Sequence, residues 1–201
     1  MLNLNDPVRY SRAEKIHVDS VLKPLKGGGW DKADAKTKAL KNRISTHTII
    51  AQGGRCAYCE SGLLRGALAI EHIAPKGLYG EFCYEPYNLV TACSSCNSTS
   101  NKGETDTVER PANYLDYTAN KFKIVHPYFD DPDAHIKYID AEKTVFDIPN
   151  CTEKGKTTIG MFHWEEVWAY NQRVATSKTR ELPMDVLKLV TEIVTLNSAT
   201  L

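Results

Sequence analysis

The sequence predicts an α+β fold organised around a small cysteine-stapled centre. Three observations carry that expectation. Two Cys-x-x-Cys pairs, Cys56–Cys59 and Cys93–Cys96, stand 33 residues apart. Two short apolar runs of strand length lie between them. Helical spacing of apolar residues is confined to the two flanks, before Gly53-Gly54 and after about Thr157.

Residues 1–54 predict a helical arm. Asp6-Pro7 offers a cap followed by Pro at a first helical position, and Tyr10, Ala13, His17 and Val21 then recur on one face as far as Leu22. Pro24 and Gly27-Gly28-Gly29 break the pattern. A second helix is expected from Trp30-Asp31 to about Ala51, closed by Gly53-Gly54, with Ala35, Ala39, Leu40 and Ile44 as its buried stripe. Its Lys32, Lys36, Lys38, Lys41 and Arg43 make it cationic, and it could lie along a phosphate backbone or simply present a solvated face.

Residues 55–103 form the centre. Ala67-Leu68-Ala69-Ile70 predicts a strand that ends on Glu71-His72, a platform that exposes both side chains. Asn88-Leu89-Val90-Thr91-Ala92 predicts a second strand returning toward Cys93. Asn97 opens a Ser/Thr/Asn-rich stretch that could start a helix. The four thiols at Cys56, Cys59, Cys93 and Cys96 suit one closed tetrahedral zinc site. Such a zinc is structural, because four thiolates leave no position for water or substrate. Two disulfides or four buried free thiols are the alternatives. Nothing resembling a secretory signal precedes the cysteines, so a reducing, cytoplasmic compartment is expected and disulfides are disfavoured. Cys83 and Cys151 read as packing residues or free thiols.

Residues 104–201 carry weaker signals. Phe122 to Pro132 predicts an extended stretch and a turn, and Ile136 to Ile139 a strand. His126, Asp130, Asp131, Asp133 and His135 have metal-ligand chemistry, but Asp130-Asp131-Pro132-Asp133 reads as a turn. An amphipathic helix is expected from Thr157 to roughly Glu181 through Ile159, Phe162, Val167, Tyr170 and Val174, and a last apolar helix from Met184 to about Leu196.

Composition excludes some classes. No apolar run reaches the roughly 18 residues of a membrane helix, so no membrane role is expected. The net charge is +0, yet residues 1–54 hold ten Lys or Arg against five Asp or Glu, and residues 104–201 hold eleven against sixteen. A protein gripping DNA alone is usually more basic overall. Either the arm meets the phosphates or a partner supplies part of the grip.

Cys56-Ala-Tyr-Cys59, Glu71-His72-Ile73-Ala74-Pro75-Lys76, Asn88-Leu89-Val90, Cys93-Ser-Ser-Cys96-Asn97 and Lys102-Gly103 follow one another in the order of the HNH endonucleases, and residues 55–103 resemble that family and its ββα-metal fold. The resemblance implies phosphodiester hydrolysis with His72 as general base. It implies Asn88 as the amide that braces the loop and orients the histidine. Glu71 and Asn97 would be ligands of a catalytic Mg²⁺ or Mn²⁺. The four cysteines would hold structural zinc. The family usually closes with Cys-Asn-x-x-Lys-Gly, whereas Ser98-Thr99-Ser100-Asn101 separates Asn97 from Lys102 here, which makes Asn101 a rival ligand. DNA is favoured as substrate on the family's general habit, with RNA such as tRNA as the alternative. A non-catalytic zinc module for nucleic-acid or protein binding ranks below both.

Outside the centre, His126-Pro127-Tyr128 and Lys156-Thr157-Thr158-Ile159, with Arg173 further along the same expected helix, give the chain a layout that is similar to the HNH subunits of Septu-type and retron-associated anti-phage defence. That resemblance implies an ATPase partner of the AAA/ABC class, and in the retron systems a reverse transcriptase with its RNA–DNA hybrid.

Overall fold

A computed structural model describes residues 1–22, 29–62 and 68–180. The expected last helix at Met184–Leu196 lies outside the described residues, as do Pro24, Gly27, Gly28 and Ala67. Among the described residues the architecture is mixed: two N-terminal helices, one two-stranded antiparallel sheet, and a C-terminal part of turns and helices. No helix among the described residues is long and apolar enough to cross a membrane.

The first helix, α1 (Arg12–Leu22), starts five residues later than Asp6-Pro7 suggested. The signal that wins is a reciprocal cap. The Ser11 hydroxyl accepts from the Glu14 N–H, and the Glu14 carboxylate accepts from the Ser11 N–H at 2.7 Å. Residues before it run extended across the centre, with Leu2 N–H donating to Ala57 O and Leu4 N–H to Pro127 O.

The second helix, α2 (Ala35–Ala51), also begins later than expected, because Asp34 caps it through Thr37 N–H. Its buried stripe is Thr37, Leu40, Ile44 and Thr48, while Ala35 and Ala39 are exposed. The stripe is half polar because both threonine hydroxyls find partners, Thr37 in Asp34 and His17 and Thr48 in the strand that carries Thr91. Thr48 Oγ1 meets Thr91 Oγ1 at 2.6 Å. The buried Gln52 amide donates to Thr91 O and accepts from Thr91 N–H. Gly53 and Gly54 end the helix as expected, both at positive φ (59° and 67°), where a Cβ would be strained.

The sheet pairs β1 (Leu68–His72) with β2 (Leu89–Cys93), in register from Leu68 opposite Cys93 to His72 opposite Leu89. Both strands match the apolar runs within a residue. Side chains alternate between faces. Leu89 and Ile70 therefore pack with Val18, Val21, Trp30, Leu40 and Ile44, while Val90 and Ala92 join a larger cluster with Tyr58, Tyr79, Ile124, Ile159 and Phe162.

The helix expected after Asn97 is absent; residues 94–104 are turns. Ser, Thr and Asn side chains compete with a helix for backbone partners, and here Asn101 Nδ2 donates to Ser95 O while Gly103 adopts φ 43°.

Farther on, the acidic run expected as a turn instead opens the four-residue helix α3 (Pro132–His135), which Asp131 caps. The strand expected at Ile136–Ile139 is reduced to an isolated bridge between Tyr138 and Phe146. The single expected helix from Thr157 is two, α4 (Glu153–Met161) and α5 (Val167–Arg180). The break lets both Phe162 and Trp164 enter the core, where they stack at 5.0 Å, and His163 takes φ 51° to allow it. Val167 and Tyr170, assigned to the buried face from the sequence, are exposed in consequence.

Candidate active site and metal centre

The cysteine centre forms from both ends of the sheet. The 56–59 turn brings its sulfurs beside β2, where Ala57 N–H donates to Thr91 O, and β2 delivers Cys93 and Cys96 to them. The four Sγ atoms lie within 4.8 Å of one another. Cys59 and Cys93 Sγ are 3.7 Å apart, too far for a disulfide. Tetrahedral Zn–S bonds of 2.3 Å place sulfurs about 3.8 Å apart. Backbone N–H groups already point at the sulfurs, Cys93 N–H at Cys56 Sγ and Cys96 N–H at Cys93 Sγ. Hydrogen bonds from Cys56 and its fellow thiols hold the Cys93 thiol below its ordinary value, while burial pushes the Cys56 thiol up. The donor set and spacing fit one metal ion, and this is the single such cluster among the described residues. Cys83 and Cys151 are buried outside it.

His72 ends β1 with its imidazole packed into the arm. The indole of Trp30 meets it edge-on, ring centres 4.4 Å apart. Its Nε2 lies 3.0 Å from the Cys83 carbonyl oxygen. A carbonyl only accepts, so Nε2 carries the proton and Nδ1 is left with the lone pair. The expectation of a strand end that exposes its side chains is not met: His72 is 6% exposed. Burial pushes its pKa down to about 3, so the ring is neutral.

Glu71 leaves β1 from the opposite face and is buried as well. Its Oε1 meets Lys102 Nζ at 2.5 Å, and the same ammonium donates to His72 O at 2.8 Å. Burial pushes the Glu71 carboxyl up, against the Lys102 charge. A carboxylate is a hard donor suited to Mg²⁺ or Mn²⁺, and the position already holds a positive charge, so the chemistry fits a cation provided that Lys102 yields. Asn97 follows Cys96 with its N–H donating to Cys93 O and its side chain partly buried. Asn101 is turned back onto Ser95 O.

Asn88 is fully buried and saturated. Its Oδ1 accepts from Ala74 N–H and Tyr117 O–H, and its Nδ2 donates to Ala74 O and Phe82 O. One amide thus ties together both ends of the loop from Ile73 to Tyr87, which contains Cys83. Behind it stands a relay that sequence reasoning missed. Tyr128 N–H donates to His126 Nδ1, so His126 Nε2–H donates to Tyr117 Oη, whose own proton goes to Asn88. His126 is stacked on Phe129 at 4.2 Å. The His-Pro-Tyr segment was the one available signal. Tyr117→Phe is expected to cost about 1–3 kcal/mol by orphaning His126 Nε2–H, measured as a drop in urea stability.

His126 also sets an acid limit. Burial pushes its pKa down to about 3. The unfolded chain takes up that proton near pH 6.5, so the stability is complete above about 6.5 and is lost as pH falls toward 3, at about 1.4 kcal/mol per pH unit. In urea titrations from pH 7 to 5, His126→Gln should show a shallower slope than wild type; equal slopes would contradict the assignment.

The arm's cations are partly committed: Lys41 donates to Trp30 O, and Arg43 pairs with Glu14. Lys36 and Lys38 remain on the exposed face.

Residues 56–103 match the family model of the HNH endonucleases. That match spans both cysteine pairs, Glu71, His72, Asn88 and Lys102, and it supports a nuclease centre acting on nucleic acid. No curated protein and no solved structure gives a match to the chain.

Proposed function

We propose that the chain is a metal-dependent HNH endonuclease that hydrolyses phosphodiester bonds, with DNA as the favoured substrate. The observation that supports it most is the His72 tautomer. The Cys83 carbonyl holds Nε2–H, the Asn88 amide fixes the loop that carries Cys83, and Nδ1 is the nitrogen left to take a proton from an attacking water. Glu71 and Asn97 would hold the divalent cation, which supplies charge neutralisation at the scissile phosphate when bound. Cys56, Cys59, Cys93 and Cys96 would hold zinc, whose role is to fix β2 against the 56–59 turn.

A second reading has its own support. A buried His72 with a pKa of about 3 and a Glu71 already paired suit a non-catalytic zinc module. The two separate on cleavage. Purified protein with supercoiled plasmid or total tRNA, in Mn²⁺ or Mg²⁺ and in EDTA, is expected to nick the plasmid only with metal. Cutting of tRNA alone would move the substrate to RNA, and retention of either polymer without cutting would favour the module.

The layout similarity to Septu-type and retron-associated subunits supports reading the nuclease as the effector of an anti-phage complex with an AAA/ABC-type ATPase. A near-neutral overall charge, with a basic arm and an acidic C-terminal part, is compatible with a grip shared with a partner. The organisation proposed with it is a helical arm at 1–54, a zinc-stapled nuclease centre at 55–103 and a mixed C-terminal region ending in helices at 104–201.

A further inference from the structure

The segment Gly29-Trp30-Asp31 is held against the centre at every residue. Tyr84 O–H donates to Gly29 O at 3.1 Å. Lys41 donates to Trp30 O and stands 5.0 Å over the Trp30 ring, which in turn covers His72. The Asp31 carboxylate takes Lys76 Nζ with both oxygens, at 2.7 and 2.9 Å. Gly29 is close-fitted as well, since a Cβ there would meet Val21 Cγ1 at 2.6 Å. Lys76 stands four residues after His72 in the chain.

These contacts differ in strength. The Asp31–Lys76 pair is at the rim, with side chains 67% and 31% exposed, whereas Trp30 and His72 are buried. Exposed pairs are weak and are screened by salt. A carboxylate binding an ammonium through two oxygens is also the chemistry by which a phosphodiester, with its two non-bridging oxygens, would bind it. The outermost tie of the segment is therefore one that an incoming backbone phosphate can replace.

We infer that Lys76 is a phosphate contact of the nuclease site, that Asp31 occupies it as an intramolecular phosphate mimic, and that a nucleic-acid phosphate displacing Asp31 lifts Trp30 from His72. This rests on the nuclease reading for its purpose. In the described state the imidazole is covered, and lifting Trp30 exposes it.

The test reads accessibility separately from catalysis. Diethyl pyrocarbonate modifies accessible neutral imidazoles, and modification of each histidine is followed by peptide mass in the full chain. In wild type, His72 should react far more slowly than the half-exposed His163. Asp31→Asn is expected to raise the His72 rate about two- to fivefold, the equivalent of one exposed ion pair, and Trp30→Leu to bring it near the rate of His163. Lys76→Gln should raise it as Asp31→Asn does. The two variants should then part: filter retention of duplex DNA and tRNA strengthens with Asp31→Asn and weakens with Lys76→Gln. Unchanged His72 reactivity in Asp31→Asn and Trp30→Leu overturns the cover, and equal retention by Lys76→Gln and wild type overturns the phosphate contact. Raised reactivity with no metal-dependent cleavage in any variant would leave the cover standing and sink the nuclease reading instead.

Discussion

Cys96→Ser is expected to abolish the fold of the centre and release one zinc ion per chain. The sheet has two strands of five residues each, and a two-stranded ribbon is marginal in water without support. Cys56, Cys93 and Cys96 sit inside the main apolar cluster, so losing the metal leaves thiols or thiolates in the core as well as a freed turn. Binding of structural zinc is worth about 10–16 kcal/mol in small zinc-finger peptides, as much as the whole stability of an ordinary domain at about 5–15 kcal/mol. Chelation of wild type should mimic the substitution. Zinc content by atomic absorption, read beside the melting curve, checks it. An unchanged melting temperature with no zinc lost would refute the staple. Cys151→Ser, outside the four-sulfur group, should retain its zinc.

Lys102→Met is expected to destabilise the protein by about 3–5 kcal/mol, the usual cost of stripping one partner from a buried pair. Lys102 is 1% exposed and Glu71 5%, so neither charge has water to fall back on. The informative part is the rescue. If Glu71 is a cation ligand, Mn²⁺ should restore much of the lost melting temperature in Lys102→Met, and should do so less in wild type, where the ammonium competes. Lys102→Met/Glu71→Gln should recover stability without metal and lose the response to Mn²⁺. A Mn²⁺ shift that persists in the double variant would place the cation elsewhere.

The parts legible in the sequence were those fixed by local chemistry. Two Cys-x-x-Cys turns, two apolar runs and a Gly-Gly stop are written within a few residues, and the sulfur cluster, β1, β2 and the end of α2 follow from them. Starts were less legible. Ser11 and Glu14 outcompeted Asp6-Pro7 for α1 through a reciprocal pair, and Asp34 displaced Trp30 as the start of α2. The buried face of α2 was misjudged because Thr37 and Thr48 are buried for their hydroxyl partners, which apolar periodicity does not register. The site was legible as a set of residues but not as an arrangement. Its second layer is long-range: Trp30 on His72, Lys102 on Glu71, and Tyr117 with His126 behind Asn88 are 42, 31, 29 and 38 positions apart in the chain. No spacing rule reaches that far.

The central claim is that His72 is the base. Its most direct test is the single-turnover rate of phosphodiester cleavage by His72→Gln, which can keep a side-chain N–H for the Cys83 carbonyl and so spares the fold better than Ala. The expected result is a metal-dependent wild-type rate that falls about 10²–10⁴-fold in the variant, with zinc content retained. A His72→Gln protein that cuts at the wild-type rate would contradict it.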